Sequence, residues 1–325
     1  MESPTPSPTS SHQSPLARRV RRWPDQLFFA IILAFAILVV AVAFAIVGIL
    51  AYNSQQSFRV FGWQFFISSN WSPNGQVFGA LPFIVGTLLT SAIALLIAVP
   101  LSLGTAIFIT TQAPRILRTP LGTAVELLAA VPSVIYGFWG VYVVHPFMRA
   151  TVEPVLHEYL GFTGLFGPPG GSGDVLTASV ILAVMIVPTI SAVSRDTMAA
   201  VPAAQTEAAL SLGATDWETT RVATIPFARS GIIGGIILGL GRAIGETMAV
   251  TMTIGNVDRV PDSLLGPGQT IASLIANELL SNTGPLQISA ILECGLVLLL
   301  ISLMVNVVAR LLVWRATRGV GGRVV

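Results

Sequence analysis

The chain has 325 residues, 53% of them hydrophobic and only 10% charged, whereas soluble domains carry about 25% charged residues. These proportions exclude an ordinary water-soluble globule and indicate a polytopic membrane protein. All 17 basic residues are arginine, which excludes a P-loop lysine, a Schiff-base lysine and a lysine general base; the formal charge of +2 matters by side of the membrane rather than by sum.

Residues 1–22 open with a Ser/Pro-rich stretch too poor in apolar groups to order itself, and are expected to form a disordered cytoplasmic tail. Arg18, Arg19, Arg21 and Arg22 precede an apolar run, Leu27–Ala51. That run is too long for a signal-peptide core and long enough to cross a bilayer, so it reads as an uncleaved first span. Phe58, Phe61, Trp63, Phe65, Phe66 and Trp71 follow, a pattern of interfacial anchoring or of a short amphipathic helix.

Five further stretches reach spanning length: Pro82–Thr110, Leu121–Pro146, Val175–Val193, Gly231–Thr253 and Ile288–Val313. The expected fold is an all-α integral membrane protein whose six transmembrane helices occupy a permease domain over 23–318, with a short C-terminal tail, 319–325. Six spans put both termini on one side. With the termini cytoplasmic, 13 arginines fall in cytoplasmic segments and only Arg59, Arg149 and Arg259 outside, as the positive-inside rule requires. Pro100, Pro132 and Pro188 are expected kinks. Glu126 suits the first turn of the third span through the helix dipole; Glu293, one turn into the sixth, either lines a pore mouth or snorkels.

The longest cytoplasmic loop is 194–230. Ala203–Leu212 is a strong helix former that Gly213 stops. Thr215 with Glu218 makes a capping box opening a second short helix, which Pro226 is expected to end. Such a protrusion either docks in a groove of a soluble partner or packs against its own bundle.

The remaining arginine, Arg242, lies within the fifth span together with Glu246. Charges there cost at least ~2.5–3.5 kcal/mol each on insertion scales, so they persist where they line a pathway or a partner helix. On a continuous helix both share a stripe with Gly231, Gly235 and Gly239, small residues that admit a neighbouring helix closely. Three readings compete: a self-neutralising i, i+4 ion pair; a guanidinium fork presented to a permeating oxyanion; and a proton relay, for which the sequence offers no chain of titratable groups. Glu246 either holds Arg242 and keeps the empty path neutral or accepts a hydrogen bond from a protonated oxyanion. Gly239, Gly241 and Gly245 read GxGxxxG inside a span, which excludes a dinucleotide site. One cysteine, Cys294, and three histidines, His12, His145 and His157, offer no Cys/His cluster, so no metal site is expected. No nucleophile–base constellation stands in the spans, so no catalytic residue is assigned.

Glu207-Ala208-Ala209, then Gly213, then Ile225-Pro226 resembles the EAA loop of bacterial ABC-importer permeases, the coupling helix that contacts the ATPase subunit. The stretches GALPFIVGTLLTSAIALLIAVPLSLGTAIF at Gly79–Phe108, VELLAAVPSVIYGFWG at Val125–Gly140 and GLGRAIGETMAV at Gly239–Val250 resemble the phosphate-specific permeases of the Pst system. NWSPNGQVFGALPFIVGT before the second span resembles their C-type branch. The resemblance covers most of 27–315. It implies a type I ABC importer permease fold and a phosphate pathway past Arg242 and Glu246. It also implies ATPase coupling through Glu207, Ala208, Ala209, Gly213, Ile225 and Pro226, and an A-type permease partner. Two copies of an ATP-binding subunit, an extracytoplasmic phosphate-binding protein meeting the outer loops, and a bacterial plasma-membrane location complete the implied system. No cofactor is expected in the chain; ATP would be used by the partners. The alternatives are a permease for sulfate, molybdate or another oxyanion, and an autonomous channel or secondary transporter.

Overall fold

The computed structural model describes residues 22–279, 281 and 284–318, with side chains described over 26–279, 281 and 284–311. The expected tails, 1–22 apart from its last residue and 319–325, lie outside the described residues. Two units are distinguished, one up to Ile49 and one from Leu50 onward. The first holds most of the apolar helix α1, Arg22–Asn53.

Among its described residues the second unit is built of helices joined by loops, with isolated bridges and no strand. Short helices α2, Gln55–Phe61, and α3, Gln64–Ile67, lead to the long α4, Leu81–Ile107. Next come α5, Arg115–Ala130, α6, Ser133–Trp139, α7, His145–Phe147, and α8, Glu153–Leu160. Helix α9, Val175–Ala199, precedes the hairpin of α10, Ala203–Ser211, and α11, Asp216–Thr219. Helices α12, Ile225–Gly245, α13, Met248–Thr253, α14, Ile271–Glu278, and α15, Pro285–Arg318, complete the chain. Five helical stretches are long and apolar enough to span a membrane, and a sixth is obtained if the bent pair Arg115–Ala130 and Ser133–Thr163 counts as one.

That pair occupies the expected span Leu121–Pro146, and the kink expected at Pro132 is a full break. Val131 and Pro132 are extended because a proline disfavours the α conformation of the residue before it, and the chain bends there by 90°. Pro100 and Pro188 instead remain inside unbroken helices. Glu126 consequently lies well past the first turn of α5, and Arg195 of α9 pairs with it, so a helix-dipole role does not hold. Glu293 is buried, with neither carboxylate oxygen hydrogen-bonded, which overturns the snorkelling reading.

Pro226 does not end a helix. It occupies the first turn of α12, and the stretch Asp216–Gly245 runs as one 30-residue span. The reason is a π turn over Thr220–Thr224, in which the Ile225 N–H reaches back five residues to the Thr220 carbonyl. The hydrogen-bond register shifts just where proline lacks a donor.

The core is built around α9. Asp174 caps its N-terminus, Oδ1 accepting from the Thr177 N–H at 2.6 Å, and Ser102 of α4 donates to the Val187 carbonyl at 3.2 Å. Along α12, a Cβ on Gly231 would stand 2.0 Å from Thr197, on Gly235 3.1 Å from Val193 and on Gly239 2.7 Å from Ile190. The glycine stripe therefore faces α9, as its four-residue spacing predicts. The aromatic stretch divides: Phe65 and Trp71 are buried with Phe78 and Phe83, whereas Phe58 and Trp63 are exposed. Trp71 stacks edge-on to Phe83 at 5.1 Å and donates its indole N–H to the Glu278 carboxylate at 3.1 Å.

At Gly86 of α4 an added Cβ would lie 2.0 Å from the Gln269 backbone carbonyl oxygen, whereas at Gly104 it meets nothing within 4 Å. Gly86→Ala is expected to destabilise by about 1–3 kcal/mol through overpacking against rigid backbone, and Gly104→Ala to be nearly silent. Thermal unfolding in detergent checks this; equal midpoints for the two variants would contradict the close approach.

Candidate functional site

Arg242 stands in the last turn of α12, where a cation is favoured by the helix C-terminal carbonyls. Its Nη1 donates to Thr189 Oγ1 of α9 at 3.2 Å. With Thr189, Asn306, Arg310, Gly234 and Gly241 it lines a cavity of about 600 Å³ bordered by α9, α12 and α15. Among the described residues no carboxylate lies within ion-pair distance of Arg242 or Arg310. The pair of cations therefore gives the cavity a positive potential that attracts anions.

Glu246 departs from the expected geometry. The helix stops at Gly245, and Glu246 is extended, at φ −69° and ψ 126°. The two charges thus do not continue along one helical stripe, and the i, i+4 ion pair does not form. Glu246 instead sits before α13 and accepts from the Ala249 N–H at a long 3.5 Å.

A larger cavity, about 680 Å³, lies elsewhere, lined by Arg118, Glu126, Arg195, Met198 and Thr206 among others. Arg195 there is neutralised by Glu126 and Asp196, and Arg118 Nε donates to the Ala113 carbonyl. It is therefore the weaker anion site although it is the larger space.

It adjoins the α10–α11 hairpin, which follows the sequence signals closely. Gly213 adopts φ +88°, with its N–H bonded to the Leu210 carbonyl and the Ala214 N–H to that of Ala209, a Schellman closure. Thr215 and Glu218 form both halves of the capping box. Glu207 and Ala208 are exposed on α10, Ala209 and Ile225 are half-buried, and Gly213 and Pro226 are exposed. Leu210, Leu212, Trp217 and Val222 are exposed at 47%, 89%, 57% and 70%. Such apolar exposure on a polar-capped protrusion marks an interaction surface.

Sequence reasoning placed Arg242 in its span but missed Thr189 and Asn306, and took Arg310 only as a flanking charge. Asn306, four residues before Arg310 on one helix face, was the available signal.

An apolar helical bundle with a cationic cavity and a protruding apolar hairpin define a multi-pass membrane permease subunit. The chain belongs to the binding-protein-dependent transport system inner membrane components, whose family model matches residues 98–318. It is 46% identical to the phosphate transport system permease protein PstC of Mesorhizobium japonicum, over 91% of this chain and 92% of that protein. It is 47% identical to the protein of the same name from Pasteurella multocida, over 88% and 91%. Among solved structures, a bacterial ABC transporter that imports the acidic polysaccharide alginate aligns with TM-score 0.59 and 18% identity over 90% of this chain and 97% of that one. The inward facing MetNI methionine ABC transporter aligns with TM-score 0.53 and 16% identity, over 71% and 92%. These two likenesses establish the fold, that of type I ABC importer permeases.

A further cavity, lined by Asn70, Trp71, Asp258, Arg259 and Asp262, is formed by the loops after α3 and α13. Burial pushes the Asp258 carboxyl up to about 6, with the Glu278 carboxylate adding to the effect. The folded protein thus holds this proton more tightly than the unfolded chain. Its contribution to stability is greatest in acid and is lost as pH rises through about 6. Replacing Asp258 by Asn should raise the unfolding midpoint relative to wild type more at neutral pH than near pH 4; an equal difference at both would count against the shift.

Proposed function

We propose that this chain is the membrane-spanning C-type permease of an ATP-driven inorganic phosphate importer, and that the anion passes Arg242. The observation that carries the substrate is the 46–47% identity, over nearly the whole chain, to phosphate transport system permeases. The physical support is a cavity lined by two arginines without acidic partners. Guanidinium forks suit tetrahedral oxyanions, and the nearby Thr189 hydroxyl and Asn306 amide add neutral hydrogen-bonding groups. A site of this kind holds an anion firmly enough to admit it and loosely enough to release it.

In this reading the α10–α11 hairpin, with Glu207, Ala208, Ala209, Gly213, Ile225 and Pro226, docks on an ATP-binding subunit present in two copies. An A-type permease completes the pathway, and an extracytoplasmic phosphate-binding protein delivers the cargo to the loops at the opposite end. Both termini and the hairpin face the cytoplasm, following the arginine asymmetry. The chain needs no cofactor and has no ATPase site of its own. Glu246, released from ion pairing, stands at the start of α13, where it either tempers the positive potential or accepts a hydrogen bond from a protonated oxyanion.

The test is uptake of radiolabelled phosphate at limiting concentration, in cells lacking this chain and complemented with variants, under excess unlabelled sulfate. Wild type should restore sulfate-insensitive uptake, and Arg242→Gln, at normal expression, should reduce it by at least about tenfold, equivalent to about 1.4 kcal/mol. Glu246→Gln should lower selectivity for phosphate over sulfate if the carboxylate reads the protonated oxyanion, and leave it unchanged if it only sets the potential. Uptake independent of the chain would discard the phosphate assignment.

Glu207→Arg inverts a charge on the exposed face of α10. It should leave the bundle folded and abolish uptake while ATP hydrolysis by the assembled complex loses its dependence on loaded binding protein. Full transport by that variant would refute the docking role.

A further inference from the structure

At the end of α9 remote from the hairpin, three ligating side chains converge. His145 opens α7, Glu153 opens α8 and Asp174 caps α9, and one ligand atom from each lies within 4.8 Å of the others. Glu153 and Asp174 are each 1% exposed, and the His145 side chain is 14% exposed. Asp174 divides its oxygens: Oδ1 accepts from the Thr177 amide, and Oδ2 faces His145 Nδ1 at 3.1 Å. Glu153 Oε1 is buried and meets no hydrogen-bond donor.

An orphaned carboxylate oxygen beside a second carboxylate is costly unless something positive stands between them. Arg149 is near, but it is exposed and its Nη1 donates to the Gly171 carbonyl at 2.9 Å. We infer that His145, Glu153 and Asp174 bind one divalent transition-metal ion of the zinc or manganese class.

One imidazole with two carboxylates is a mixed nitrogen and oxygen donor set of the kind these ions accept. Around tetrahedral zinc neighbouring ligands stand about 3.4 Å apart, so the three groups close on the ion by side-chain rotation without moving a helix. The ion takes Nδ1, Oδ2 and Oε1, displaces a proton from the imidazole when Nδ1 carries one, and leaves a fourth position to water. The Thr177 amide on Asp174 Oδ1 fixes that carboxylate from behind, as supporting hydrogen bonds do at metal sites. None of the three residues lines the Arg242 cavity, so the ion is a structural staple. It joins the segment after the 90° bend to the start of α9.

The test uses the full-length chain purified with its natural partner subunits in detergent, stripped with chelator, without ATP, and dialysed against Zn²⁺ or Mn²⁺. Metal is counted by mass spectrometry. Wild type should hold one ion more per copy of this chain than His145→Gln or Glu153→Gln. Equal metal content in wild type and variants overturns the site and leaves a His145–Asp174 hydrogen bond beside a buried Glu153. Should both variants fail to assemble, wild type alone decides. A saturable, chelator-reversible rise of its unfolding midpoint with Zn²⁺ or Mn²⁺ supports the site, and a midpoint that neither ion moves overturns it.

Discussion

The close packing of α12 on α9 is the constraint on which the other parts depend. Gly231, Gly235 and Gly239 remove the side chains that would separate the two helices, and Thr197, Val193 and Ile190 fill the space. Within a bilayer no hydrophobic driving force favours one apolar surface over another, so close van der Waals contact of this kind holds helices together. The contact also sets the site. Because the glycine stripe fixes the rotation of α12, Arg242 emerges beside Thr189 of α9 and toward Asn306 and Arg310 of α15. A bulky residue in the stripe would turn the arginine as well as part the helices.

Charge placement follows a division of labour among the arginines. Arg195 is held by two carboxylates and ties α9 to α5, so its field is spent locally. Arg242 and Arg310 keep theirs for the cavity. A single acidic neighbour is the difference between a structural cation and one open to a mobile anion, which is why the smaller cavity is the better candidate pathway.

The apolar segments, the α10–α11 hairpin with its glycine stop and capping box, and the orientation of the glycine stripe were all legible in the sequence, because each rests on local rules of periodicity and capping. The breaks were legible only in part. Pro132 reads as a kink and stands at a full break, whereas Pro226 reads as a stop and is absorbed by a π turn; the same residue type gives opposite results according to the register of the preceding hydrogen bonds. The stop at Gly245 was hidden by an apolar run that continues beyond it, so Glu246 was counted on a stripe it leaves. The His145, Glu153 and Asp174 group escaped because its members come from three elements separated by bends and loops that only the folded chain closes.

The π turn at Thr220–Thr224 keeps Asp216–Gly245 in one piece, and its consequence is mechanical. From Asp216 to Arg242 the rod is about 39 Å long at 1.5 Å per residue. A tilt of only about 5° about its midpoint carries each end roughly 1.7 Å, in opposite directions. Had Pro226 broken the helix, the hairpin and Arg242 would stand on separate elements; as built, Asp216 and the guanidinium belong to one continuous helical stretch, and a tilt of that stretch moves both.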